Sequence, residues 1–306
     1  MSNSLKAHLL LLGVVMVWGS TFVLVKDALS DISPLLFNFI RMALAAACLG
    51  LVYRRHLGGI DRRTLLAGAV TGLFLAMGYQ FQTAGLRLTT PSKSAFITGL
   101  VVVIVPLLLA VPILRPANSH LPHWNAYLGA ILGFTGIILL TTPAHSAFSF
   151  RSANAGDLLS LGCALGFSFH MLALAHFSPR IRFEKLAVLQ VSFAAVLMAL
   201  SLRVFERPFV HWSVRVAVAL VIAAVLATAA AFAIQSWAQQ YLPASHTALL
   251  LALEPVFAWI TSFIILGERL GMRSGAGALL ILAGIGVTEL LPSRIQSTAH
   301  EAAPVQ

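Results

Sequence analysis

The sequence repeats itself on the scale of a membrane domain. Five apolar stretches lie between residues 7 and 142, and five more between residues 156 and 291. Leu12-Gly13 at the head of the first stretch matches Leu161-Gly162 at the head of the sixth. At the same register Trp18 falls on Phe167, Thr21 on His170 and Arg41 on Gln190. Later, Ser94-Ala95 matches Thr247-Ala248, each shortly after a Leu-Thr-Thr-Pro or Leu-Pro turn. An odd number of spans per copy turns the second copy upside down in a bilayer. Inverted copies around a site near the midplane are a common build of secondary transporters.

Composition agrees with spans rather than with a soluble core. Of 306 residues, 59% are hydrophobic and only 10% charged, against about 25% charged in soluble domains. The mean hydropathy is +0.91. A membrane helix needs roughly 20 apolar residues, so ten of them use about 200 and leave only short loops and a tail. The periodicity is helical or uniformly apolar, unlike the alternation of a membrane barrel. A net charge of +10 invites a nucleic-acid reading. The basic residues form no stripe, however; they scatter over loops as in ordinary membrane proteins, and no nucleic-acid partner is expected. Cys48 and Cys163 lie inside apolar stretches without metal-ligand spacing, so packing cysteines are expected. Lys6 precedes a long apolar run with no clear cleavage site, which reads as a retained first helix.

The fold class expected is an all-α membrane protein with ten transmembrane helices in two inverted five-helix repeats. The spans fall at 7–25, 34–53, 64–83, 93–113 and 124–142, then at 156–177, 184–204, 214–239, 245–266 and 273–291. The first repeat then occupies 1–142, a linker 143–155, the second repeat 156–291 and a polar tail 292–306. In the first repeat, six Lys or Arg (Lys6, Arg54, Arg55, Arg62, Arg63, Arg115) lie on one side and three (Lys26, Arg87, Lys93) on the other. That bias favours a cytoplasmic N-terminus, and ten spans return the C-terminus to the same side. The second repeat does not sharpen the choice, since its basic residues fall on both sides.

Polar residues inside apolar spans are costly and therefore informative. Glu254-Pro255 sits well inside the ninth span, where a carboxylate costs about 2.5–3.5 kcal/mol on insertion scales. Pro255 has no backbone N–H and crowds the carbonyl of Leu251, so a kink with a freed carbonyl beside an acid is expected. A buried carboxyl acting only as packing glue is the alternative. Arg41, in the second span, either snorkels to the interface or faces inward to balance Glu254 or an anionic solute. Trp18 and His170 lie deep in the first and sixth spans, and a lone His there suits a helix-to-helix hydrogen bond or a proton carrier. Tyr79, Gln80 and Gln82 end the third span, as Gln235, Trp237 and Gln239 end the eighth. Amides and aromatics together suit a zwitterionic or aromatic solute; an interfacial aromatic belt is the alternative. Gly68/Gly72, Gly129/Gly133 and Gly162/Gly166 have the spacing of tight helix crossings.

Trp18-Gly19-Ser20-Thr21-Phe22, Arg41, Gly85-Leu86-Arg87-Leu88-Thr89, Leu253-Glu254-Pro255-Val256-Phe257 and Gly267-Glu268-Arg269-Leu270 together resemble the EamA-type family of the drug/metabolite transporter superfamily. The resemblance runs from about residue 7 to 291. It implies an inner-membrane carrier of small organic solutes, often an exporter of amino acids or related metabolites, with a cavity lined by spans 1, 3, 4, 6, 8 and 9. Carried onto this chain, it points to Trp18, Tyr79, Gln82, Ser94, His170, Gln235, Trp237 and Glu254 as substrate-binding, with Glu254 the coupling candidate. The first repeat departs from the pattern: Val101-Val102 stands where the second has Glu-Pro, and an extended 115–123 loop where the second has Gly-Glu-Arg-Leu.

The expected mechanism is alternating access, with bending at Pro106 and Pro255. No cofactor, metal or catalytic residue is expected, and the partners are a solute and membrane lipid. An intramembrane enzyme acting on a lipid-linked substrate would need clustered nucleophiles, acids or metal ligands. A passive pore would need a continuous polar stripe.

Overall fold

The computed structural model describes residues 3–114, 124–141, 154–242, 250–251 and 253–290. The expected linker up to residue 153, the 115–123 loop, the start of the ninth stretch with Thr247-Ala248 and the 292–306 tail lie outside the described residues. The described residues form eleven helices. They are α1 (Asn3–Ala28), α2 (Pro34–Tyr53), α3 (Arg62–Leu88), α4 (Pro91–Thr98), α5 (Val101–Leu108) and α6 (Trp124–Thr141). Then come α7 (Ala155–Phe177), α8 (Phe183–Phe205), α9 (Val214–Ala238), α10 (Glu254–Leu266) and α11 (Met272–Leu290). Among the described residues the extended backbone pairs only at the isolated antiparallel bridge of Ile32 with Val210.

The termini obey local chemistry. Pro34 and Pro91 open α2 and α4, where a missing N–H costs nothing. Asn154 and Asp157 form a reciprocal capping box at α7, so Ala155 belongs to the helix rather than to the linker. Gly267 ends α10 in the left-handed conformation at φ 66°.

Six helices are long and apolar enough to cross a membrane: Leu5–Ala28, Pro34–His56, Arg62–Leu88, Ala155–Arg180, Phe183–Phe205 and Val214–Ala238. Shorter apolar helices occupy the remaining positions. Leu44, Leu73, Ile131, Val196 and Ile264 are exposed on the outer faces, as lipid contact requires. The protein is an integral membrane protein.

The principal packing joins early helices to late ones: α1 with α10, α2 with α8, α3 with α7 and α8, and α6 with α11. Lipid tails are as apolar as the helices, so association depends on close backbone approach. Glycine supplies it. A Cβ on Gly72 would lie 2.7 Å from the Gln190 carbonyl, one on Gly166 2.8 Å from the Gly78 nitrogen, and one on Gly284 2.6 Å from the Gly129 carbonyl. At Gly19 it would meet Phe257 Cβ at 2.6 Å and the Glu254 carbonyl at 2.8 Å, so only glycine lets α1 lie against the start of α10.

Two helices are interrupted in the same way. In the fourth span, Leu100 N donates to Ile97 O, and Leu100 O accepts from the nitrogens of Val103 and Ile104. Shifted along the chain, Leu253 N donates to Leu250 O, and Leu253 O accepts from Val256 and Phe257. The break therefore falls at Gly99-Leu100 and not at Pro106, which lies within α5. Pro255 does not kink a running helix either. It sits in the first turn of a new one, where its ring is accommodated.

Candidate functional site

The two interruptions open onto one interior cavity. Its volume is about 80 Å³, which is room for several waters. From α1 it is lined by Trp18, Thr21, Phe22 and Val25, and from α3 by Tyr79, Gln82, Thr83 and Leu86. Both sets have the i, i+3, i+4, i+7 spacing of a single helical face. Arg41, Thr98, Phe167, His170, Phe232, Gln235 and Glu254 supply most of the remaining wall.

Aromatic rings frame this space in pairs. Trp18 lies 5.6 Å from Phe232 and Tyr79 lies 5.2 Å from Phe167, edge to face. Such contacts stabilise by about 0.5–1.5 kcal/mol beyond simple burial. His170 joins them, its ring 5.7 Å from Phe232. Its Nε2 also donates a 2.8 Å hydrogen bond to Gln190 Oε1, while Gln190 Nε2 donates to Ser236 Oγ at 3.3 Å. His170 thus ties α7 to α8 and faces the cavity as well.

Arg41 does not snorkel. It is 3% exposed and points inward. Its Nε donates to Thr228 Oγ1 at 2.7 Å, and its Nη2 donates to the Tyr79 hydroxyl at 3.0 Å and to Ala227 O at 3.2 Å. Trp18 Nε1 donates to the same carbonyl at 2.8 Å. The carbonyl lies within Ile222–Ala230, a π-helical stretch of α9. Such i→i+5 turns recur at functional sites.

Glu254 is the first residue of α10 and is partly buried. Its carboxyl makes no hydrogen bond or ion pair among the described residues, although it stands on the cavity wall. Gln235 Oε1 is buried on the same wall and is also unpartnered there. Unsatisfied buried acceptors are rare in proteins and mark sites that something else completes.

Six of the eight residues expected from sequence line the cavity: Trp18, Tyr79, Gln82, His170, Gln235 and Glu254. Two do not. Ser94 is buried between α4 and α7, its hydroxyl 3.0 Å from that of Ser160. Trp237 packs beside Ala7 and Leu11, with its ring 4.9 Å from Tyr241. Trp237 is two residues beyond Gln235, and two helical steps of about 100° turn it to the far face. Sequence reasoning left the direction of Arg41 open and passed over Thr21 as a lining residue, Phe232 and Thr98. The spacing from Trp18 carried the signal for Thr21. Nothing comparable marked Thr98, which owes its place to the break after it.

Apolar helices with lipid-facing surfaces, two interrupted helices and unpaired polar groups around an interior cavity define a membrane transporter. Known proteins agree. The model of the EamA-like transporter family matches residues 5–142 and again residues 154–290. The chain belongs to the EamA-like transporter family. It is 34% identical over 282 residues to an uncharacterized transporter of Archaeoglobus fulgidus, covering 90% of this chain and 83% of that one. It is 25% identical over 298 residues to the uncharacterized transporter YoaV of Bacillus subtilis, covering 94% and 98%. A protein of known crystal structure has the same fold at a TM-score of 0.66 and 20% identity, covering 93% of this chain and 96% of its own.

Proposed function

We propose that the chain is a secondary transporter, an exporter of small organic metabolites such as amino acids or related compounds, and that it has no catalytic role. Ten spans form two inverted five-helix repeats, with both termini in the cytoplasm of a bacterial cell whose inner membrane holds the protein. The observation that carries this reading is the cavity between two helices broken by matching hydrogen bonds, with Glu254 at one break and without a partner among the described residues. Discontinuous helices whose ends meet near the midplane are where such carriers bind solute and coupling ion. The repeated match of the family model supports the two-repeat reading. The two halves alternate access by rocking about these breaks, and Glu254 couples or orients the solute.

Purified protein in sealed liposomes tests it. A radiolabelled amino-acid mixture is expected to exchange against a preloaded pool, driven by a solute or proton gradient without ATP. Glu254→Gln should slow exchange at least tenfold while inserting in normal amounts. Accumulation that needs ATP would sink the secondary-transporter reading, and wild-type exchange by Glu254→Gln would reduce Glu254 to packing.

A further inference from the structure

We propose that Arg41 selects the solute by binding a carboxylate group in the cavity. This rests on the transporter reading above and assigns a role within that site. A guanidinium carries five N–H donors in a planar fork. Three are engaged, by Thr228 Oγ1, the Tyr79 hydroxyl and Ala227 O. The two on Nη1 have no partner among the described residues, and no carboxylate of those residues lies within ion-pair distance of Arg41. Tyr79 accepts from Nη2, so its own hydroxyl proton remains to be donated, and its ring holds the guanidinium carbon 4.2 Å from its centroid.

Arg41 and Tyr79 both line the cavity. Two N–H groups and one O–H therefore converge where a carboxylate, with two oxygens and about four lone-pair sites, accepts them all. The electrostatics point the same way. A buried cation without a counter-ion is costly, and the present neighbours are dipoles rather than charges. A solute carboxylate supplies the missing charge. Gln235 Oε1, buried and unpartnered on the same lining, is a second group that the protein leaves open. The π-helical stretch of α9 fixes Ala227 O and Thr228 Oγ1 behind the guanidinium, so its free edge stays turned to the cavity.

The rival role for Arg41 is structural, a strut from α2 to α9. The two roles separate by ligand chemistry. Wild-type protein in lipid nanodiscs is titrated with isovalerate, 3-phenylpropanoate, L-leucine and L-phenylalanine, each beside its carboxamide, and affinity is read from the shift in thermal unfolding. The tightest acid is expected to bind at least tenfold more tightly than its carboxamide. Arg41→Gln should erase that ratio while leaving carboxamide affinity within twofold, and Arg41→Lys should keep part of it, because an ammonium retains charge without the fork. Equal affinity for acid and carboxamide overturns the proposal. So does binding of no acid at all, or an equal loss for both ligands in Arg41→Gln. Liposome exchange separates the two failures. Uptake of a carboxamide without preference for the acid rejects Arg41 as selector and keeps the transporter. Liposomes that move neither the panel nor the amino-acid mixture reject the transporter reading itself.

Discussion

The two ends of the helical bundle are built differently. At the end where α1 stops and α2 starts, bonds between distant segments are dense. Lys26 Nζ donates to the carbonyls of Leu86, Arg87 and Thr89 at 2.8–3.0 Å, capping α3. Asp157 takes an ion pair from Lys93 at 3.1 Å and a hydrogen bond from Thr89 at 2.8 Å, joining α4 to α7. Glu206 accepts from the backbone nitrogens of Leu35 and Leu36, and Glu268 accepts from Ser92 and Ser262. Arg215 reaches Asp27 at 3.1 Å. At the opposite end, the polar bonds among the described residues are mostly local. Arg182 pairs with Glu184 two residues on, Arg180 with the His176 carbonyl, and Asp61 with Thr64. Lys185 to the Gly59 carbonyl, at 2.9 Å, does connect separate segments. Under the alternating access proposed above, the first end would be the sealed gate and the second the one that yields.

That contrast can be broken. Solvent access to the cavity should show the largest effect. With Cys48 and Cys163 replaced by Ala, Gln82→Cys is expected to react with a membrane-impermeant maleimide from the Gly59 side and to be protected from the Lys26 side. Equal labelling from both sides would remove the distinction. Next comes stability. Asp157 is buried and holds three donors, so Asp157→Ala is expected to cost about 3–5 kcal/mol. Glu184→Ala, whose partner Arg182 is largely exposed, should cost about 0–1 kcal/mol. Similar melting shifts for the two variants would mean that the ends are equally fastened.

The smallest effect concerns acid. Hydrogen bonds from Thr64, side chain first and backbone second, hold the exposed Asp61 carboxyl below its ordinary range. A depressed value means that this cap contributes above about pH 4 and is lost as pH falls through the lowered value. The small melting difference between Asp61→Ala and wild type should therefore vanish in acid. A difference that persists unchanged there would show that the α3 cap does not depend on the charge.

Helix positions were legible because a bilayer imposes length and apolarity together. The expected 34–53 coincides with α2, and 214–239 differs from α9 by one residue. The breaks were not legible. Proline drew attention to 106 and 255, whereas the interruption falls at Gly99-Leu100, where a Cβ on Gly99 would lie 2.8 Å from Pro255 Cγ of another helix, a tertiary closeness. The site was half legible for the same reason. Residue type chose Gln235 and Trp237 alike, and helix phase separates them. Arg41 is apolar in its stem and polar at its tip, so only its partners on α3 and α9 decide its direction.

The π-helical stretch Ile222–Ala230 gives α9 an adjustable reading frame. A wider turn holds one more residue than an α-turn of the same path. Losing one residue there would let the segment relax to a regular helix along the same path, so the C-terminal turns of α9 would keep their faces and Phe232 and Gln235 would still line the cavity. What would change is the stretch itself, where Ala227 O and Thr228 Oγ1 hold the Arg41 guanidinium and would be re-aimed. One codon deleted in this segment would thus leave the wall of the site standing and loosen the cation seated behind it.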